Sequence, residues 1–136
     1  MATFGTLKEG VDNILINAYT GLELILYTDG FNQFDRDSVL ADFTEPSDLD
    51  SDELANGYGS ITLSGTWAST GGVITYDHGG GSNPTFTNSG ATEAWQAVYG
   101  AAISDGTYVL HFKDFGTSYT VDVGESLEVD ISTLVS

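Results

Sequence analysis

From Gly57 onward the chain is cut into short phrases by recurring turn signals. The phrases are SITLSGTWA (60–68), GVITYDH (72–78), PTFTNS (84–89), AWQAVYGAAIS (94–104), TYVLHFKDF (107–115), SYTVDVG (118–124) and SLEVDIST (126–133). They are rich in Thr, Val, Ile, Tyr and Phe, which suit a pleated, half-buried surface. Between and within them stand SGT, TGG, HGGG, SDG, FGT and VGES, where glycine supplies backbone angles that other residues resist. Turn signals spaced roughly every 8–12 residues restrict the fold to a mostly β, antiparallel sandwich or barrel. Period-2 alternation predicts Tyr119, Val121 and Val123 on one face of a strand, and Leu127, Val129 and Ile131 on one face of the next.

Upstream, LELILYTD (22–29) is short, almost wholly apolar and bounded by Gly21 and Gly30, so it reads as a buried strand. Thr6 and Glu9 fit a capping box, and Leu7, Val11, Ile14, Leu15 and Ala18 follow at helical spacing up to Gly21. The spacing predicts a helix over 7–18. Gly5 and Gly10 at its start leave an extended arm as the alternative. The expected organisation is a helix or arm over 1–21 and one β-domain over 22–136, without internal repeats. Residues 31–56 hold no strand period and form a long connection, in which DRDSVLADF has room for one helical turn before Pro46.

Charge limits the partners. Twenty acidic residues face three basic ones, Lys8, Arg36 and Lys113, for a formal net charge of −17. Such a surface repels nucleic acid and anionic lipid, so neither is an expected partner. The N-terminal MATFGTLKEG lacks the basic and apolar regions of a secretory signal, and no apolar run reaches the roughly 20 residues of a membrane span. With no cysteine, disulfides and thiolate metal sites are excluded.

Candidate chemistry is sparse. Asp48, Asp50 and Asp52 alternate like the opening of a calcium loop. That loop requires glycine at its sixth position and glutamate at its twelfth, where this chain has Glu53 and Gly59. The three aspartates remain weak calcium candidates, and a solvated acidic loop is the expectation. His78 and His111 have no His-x-His or His-x₃-His spacing, so the three or four ligands of a zinc site are not indicated. His111 is expected on a strand between Leu110 and Phe112, and His78 at a strand end. The triple glycine 79–81 is followed by Ser82-Asn83-Pro84 instead of Gly-Lys-Ser/Thr, so it reads as a hairpin loop, not a phosphate cradle. No G-x-S-x-G elbow is present, and no carboxylate pair stands out as a glycosidase pair. Trp67 and Trp95 could stack on sugars, but strand alternation favours the core for both.

Together these phrases follow an order: a short helix, LILYTD, a connection ending DFTEPS, then GYGSITL with Trp67 after it. PTFTNSG, AVYGAAISDGTYVLHFKDF and a closing hairpin YTVDVGESLEVDIS complete it. That order, over roughly 7–133, resembles a family of small β-sandwich structural proteins of tailed bacteriophages, variously head-decoration (cement) or tail-fibre-like. The acidic DLDSDELAN is an insertion relative to that pattern. Within DFTEPS, Phe43 is expected to anchor the connection in the core, Pro46 to fix the turn, and Glu45 to cap a neighbouring backbone amide.

The resemblance implies a non-enzymatic virion protein without cofactors. It would decorate the outside of the capsid and hold the major capsid protein or other virion proteins through buried surface, as a trimer or dimer. The alternative is a tail-associated adhesin that recognises host glycans. Leu7, Val11, Ile14 and Leu15 are the expected partner contacts, because an apolar stripe at a terminus needs something to cover it.

Overall fold

The computed structural model describes residues 19–47, 57–70, 73–90 and 93–135. The expected helix over 7–18, the contact residues Leu7, Val11, Ile14 and Leu15, and the aspartates Asp48, Asp50 and Asp52 lie outside the described residues.

The fold is mostly β and antiparallel, as the turn spacing predicts. β1 (Glu23–Tyr27) is followed by a 3₁₀ turn (Leu40–Asp42), β2 (Ile61–Thr62), β3 (Thr66–Thr70), β4 (Val73–Asp77) and β5 (Thr85–Thr87). Then come β6 (Val98–Ser104), β7 (Val109–Tyr119), β8 (Ser126–Glu128) and a short C-terminal helix (Ile131–Val135). The main sheet has the order β2-β1-β6-β7, and β3-β4 and β5-β8 form two ribbons.

β1 is apolar on both faces because the sheet is covered on both. Leu22, Leu24 and Leu26 point into the main core with Ala101 and Ile103 of β6. Trp67 and Ile74 from one ribbon, Phe86 from the other, and Ile131 and Leu134 from the helix close over that face. Ile25 and Tyr27 point the other way, into a smaller core with Ala102, Phe34 and Phe43. The connection 31–43 is the lid of this second core, and Phe34 stacks on Phe43 with ring centroids 3.8 Å apart. The expected anchoring role of Phe43 is thus observed.

Five strand expectations are corrected. The phrase 60–68 is two strands, β2 and β3, split at Leu63-Ser64-Gly65. Leu63 still donates to the Leu22 carbonyl (2.8 Å), but Gly65 passes so close to the Asp77 carbonyl that no side chain fits, and there the chain leaves the main sheet for the ribbon. The FGT signal is a bulge within β7, not a turn between two strands. Gly100 pairs with Asp114 and Val98 with Tyr119, so 115–118 loops out, with Gly116 at φ 81°. Past the bulge no strand continues. Val121 is buried while Tyr119 and Val123 are exposed, so these three do not share a face. The closing hairpin is absent as well: β8 pairs with β5, and the Val121 carbonyl accepts from Trp95 N–H (3.0 Å). In the last phrase Val129 and Ile131 face the core as expected, but the strand stops at Glu128. Asp130 Oδ1 accepts from Ser132 N–H (3.0 Å) and Ser132 Oγ (2.6 Å), an N-cap arrangement that starts the helix.

DFTEPS is an edge clamp. β2 covers β1 only at Glu23 and Leu24, so the rest of the β1 edge needs other partners. Thr28 N–H donates to the Thr44 carbonyl (2.8 Å), and Thr44 N–H returns a bond to Asp29 Oδ2 (2.7 Å). Asp42 accepts Val39 N–H at the 3₁₀ turn (2.8 Å), Pro46 is fully buried, and Ser47 accepts from Gln96 N–H (2.9 Å). Among the described hydrogen bonds, Glu45 caps no amide directly, contrary to expectation. It acts through Tyr58: the buried Tyr58 hydroxyl accepts Leu26 N–H (3.1 Å) and donates to Glu45 Oε1 (2.7 Å). Burial, then the bond to Glu45, raise the Tyr58 pKa well above its ordinary value. A Tyr58→Phe variant leaves Leu26 N–H buried without a partner. It is expected to lose about 2–3 kcal/mol in urea unfolding, with the slope unchanged.

Candidate functional site

Among the described residues no group of three or more His, Asp or Glu side chains converges as a metal would require. His111 lies on β7 and His78 just past β4, as the sequence predicts. The sequence does not foreshadow that one run of aromatic side chains joins them. His111 Nε2 is 2.5 Å from the Tyr19 hydroxyl. Tyr19 packs on Trp67 with ring centroids 4.6 Å apart, and Trp67 packs on Tyr76 at 4.5 Å. The Tyr76 hydroxyl is 2.6 Å from His78 Nδ1 and accepts Gly65 N–H at 3.0 Å. Only the last link was readable in the chain, because Tyr76 and His78 are two residues apart at the end of a strand. Tyr19 and His111 are 92 residues apart, and only the folded sheet brings them together.

The electrostatics of this run are those of a buried scaffold. Desolvation raises the pKa of Tyr19 and of Tyr76, so both hydroxyls stay protonated at neutral pH. Desolvation lowers the pKa of His111, so its ring is neutral, and Nε2 shares one hydrogen bond with the Tyr19 hydroxyl whose direction follows the tautomer. His111 Nε2 and His78 Nδ1 thus each face a tyrosine hydroxyl, and among the described hydrogen bonds no carboxylate bonds either ring. The Trp67 indole N–H, packed between the two tyrosines, is buried without a hydrogen-bond partner.

A pH dependence follows. With its folded pKa below the ordinary 6.5, His111 takes up a proton later in the folded chain than in the unfolded one. Its contribution is full above about pH 6.5 and is lost as pH falls from there to the folded pKa, where the loss levels off. Thermal melts at about pH 7 and pH 5.5 are expected to show the parent losing more stability on acidification than a His111→Gln variant.

Two hollows are lined by the described residues, and neither contains a histidine. One, of about 230 Å³, lies beside the second core and is lined by Glu23, Ile25, Leu40, Phe43, Glu45, Ser60, Ser104 and Gly106. The other, of about 220 Å³, is lined by Phe115, Tyr119, Leu127, Glu128, Val129 and Asp130. Both tryptophans are in the main core, Trp95 fully buried, as alternation predicts. Among the described residues Tyr108 is the most exposed large apolar side chain, 70% accessible at the β6–β7 tip. The tip is pinned by Asp105, which accepts Thr107 N–H (2.8 Å) and Tyr108 N–H (2.7 Å) and whose pKa these bonds lower. Compared with protein-family models, with curated proteins and with solved structures, the chain matches none.

Proposed function

We propose that the chain is a non-catalytic structural protein of a tailed-bacteriophage virion, of the capsid-decoration type. It works by contact surface on the outside of the shell, with the major capsid protein as its partner and further copies of itself beside it. The observation that carries this reading is the use made of the polar side chains. Asn88, the Tyr27 and Asp114 pair, the Glu45 and Tyr58 pair and the two histidine–tyrosine pairs are each engaged in holding backbone or neighbouring strands. The surface left over is acidic, which suits a protein facing bulk solvent and selects against nucleic acid. The phrase DFTEPS, central to the resemblance, serves here as architecture. Leu7, Val11, Ile14 and Leu15 are the proposed contacts with neighbouring chains.

The rival reading, a glycan-binding tail module, would need exposed stacking rings. Trp67 and Trp95 are spent in the core, which leaves Tyr108 and Tyr119 for that task.

Copy number separates the readings. Quantitative mass spectrometry of particles from the genome encoding this chain is expected to find hundreds of copies, lost on mild stripping and restored by adding the full chain. A handful of copies at the tail would support the adhesin, and absence from particles would overturn both. A chain lacking residues 1–17 should stay folded but no longer rebind stripped particles, and rebinding at full strength would remove the N-terminal contacts from the proposal.

A further inference from the structure

We propose that the hollow between the β7 bulge and β8 is a receptor pocket for one arginine side chain of a protein partner. The inference goes beyond the virion reading and holds whether or not the chain belongs to a particle.

The pocket is made by the bulge. Residues four apart on an extended strand stand about 13 Å from one another. Phe115 and Tyr119 are four apart, yet their rings meet edge to face with centroids 5.7 Å apart and planes at 74°. The looped-out segment 115–118 brings them together into one aromatic wall. Bulges re-aim side chains in this way. Phe115 and Leu127 rest on the main core and form the floor with buried Val129, while Tyr119 is the exposed lip.

The opposite rim is acidic. Glu128 and Asp130 line the same hollow and are exposed. Glu128 accepts one hydrogen bond, from Asn83 Nδ2 (2.9 Å), and a carboxylate offers about four acceptor positions. Asp130 is positioned by its bonds to Ser132 at the start of the C-terminal helix.

Shape and charge select the occupant. A volume of about 220 Å³ is below the roughly 300–1,000 Å³ of small-molecule sites, so one side chain is the right scale. Aromatic walls with an acidic rim exclude anions and favour a cation that carries an apolar stem. Arginine fits on both counts: its planar guanidinium stacks on an aromatic face while its N–H groups fork onto a carboxylate. A metal ion is disfavoured, because the remaining walls are hydrocarbon and aromatic. The chain's net charge of −17 adds a long-range attraction for a basic partner surface.

The test is an NMR titration of the full ¹⁵N-labelled chain with acetyl-Gly-Arg-Gly-amide at about 0.15 M salt, where loose surface attraction is screened. Saturable shifts are expected at the amides of Phe115, Tyr119, Leu127 and Val129. The citrulline peptide, equal in shape but uncharged, should bind at least tenfold more weakly, and the lysine peptide more weakly than arginine. Glu128→Gln and Tyr119→Leu should each weaken arginine binding several-fold. Both positions are exposed, so spectra of unchanged dispersion will show that the variants fold. Equal shifts from the arginine and citrulline peptides would overturn the proposal. So would shifts spread over the acidic loops without a maximum at this pocket, or variants that bind as the parent does.

Discussion

A Gly100→Ala variant is expected to lose about 3–5 kcal/mol of stability, enough to lower the melting temperature by roughly 10 °C or more. Gly100 sits mid-sheet on β6, paired with Tyr27 on one side and Asp114 on the other. The Tyr27 ring lies across it. The ring is fully buried, and its hydroxyl donates to Asp114 Oδ1 at 2.6 Å, two strands away. Asp114 Oδ2 in turn accepts Asn32 N–H at 2.8 Å, which ties down the start of the 31–43 lid at a residue with φ 60°. A methyl group at position 100 would overlap the Tyr27 ring and hydroxyl and the Lys113 carbonyl. The ring would have to leave, giving up its bond to Asp114 and its edge contacts with Phe34 and Phe43 at 5.0 and 5.4 Å. The requirement is for space, since the positive-φ glycines do not include Gly100. The ring couples positions 27 and 100, so their substitutions are expected to be non-additive. In a Tyr27→Ala background the alanine at 100 should cost about 2 kcal/mol less than in the parent, because the ring it displaces is already gone. Urea unfolding of the four proteins of this cycle measures the difference. A Gly100→Ala change within about 0.5 kcal/mol of the parent would show that the ring does not lie across the glycine.

The parts of this fold legible in the sequence are those where local pattern and tertiary environment agree. β1 is apolar on both faces because a ribbon layer covers one face and the 31–43 lid the other, and an unbroken apolar run is what such a strand requires. β4, β5 and β6 fall within their phrases because glycine-rich turns flank them. Alternation misleads where it runs on through a change of structure. SITLSGTW keeps its period across Gly65, but the close passage of the Asp77 carbonyl, which sets the break, belongs to a residue twelve positions away. LEVDIS keeps apolar Val129 and Ile131 in period, yet Asp130 caps a helix between them, and the period cannot tell a strand from an entry into a short helix. The candidate sites were less legible still. The Tyr19 link to His111 and the bulge that brings Phe115 to Tyr119 depend on strand pairing, which a local pattern does not encode.

Asn88→Ala is expected to cost about 3–5 kcal/mol, although Asn88 sits in a phrase, TNSG, that reads as an ordinary turn. Asn88 is fully buried and joins three segments. Its Nδ2 donates to the Glu93 carbonyl (2.9 Å) and to the Val121 carbonyl (3.0 Å), and its Oδ1 accepts Gly90 N–H (3.0 Å). Its backbone bonds Glu125 O and Gly124 N–H at 2.9 and 2.8 Å. The side chain thereby replaces the strand pairing that the segment after β7 lacks. Alanine leaves the Glu93 carbonyl and Gly90 N–H without these partners, takes one of two donors from the Val121 carbonyl, which keeps Trp95 N–H, and opens a small void; each lost partner is worth about 1–3 kcal/mol where water cannot reach. Asn88→Asp provides the sharper check, because it keeps the shape and changes only the donor. A carboxylate there would face two carbonyl oxygens, so its folded-state pKa must rise above the unfolded value of about 3.9. The folded state then binds the proton more tightly than the unfolded chain. The aspartate variant is therefore most stable at low pH and loses stability as pH rises through the carboxyl range. Relative to the parent at each pH, it should be clearly destabilised at pH 7 and partly recovered near pH 4, since the protonated acid can donate to one of the two carbonyls. Alanine, with nothing to titrate, should show a deficit that does not change with pH. If the aspartate variant matches the parent at pH 7, the side chain at position 88 does not face the Glu93 and Val121 carbonyls, and the segment after β7 is held by other means.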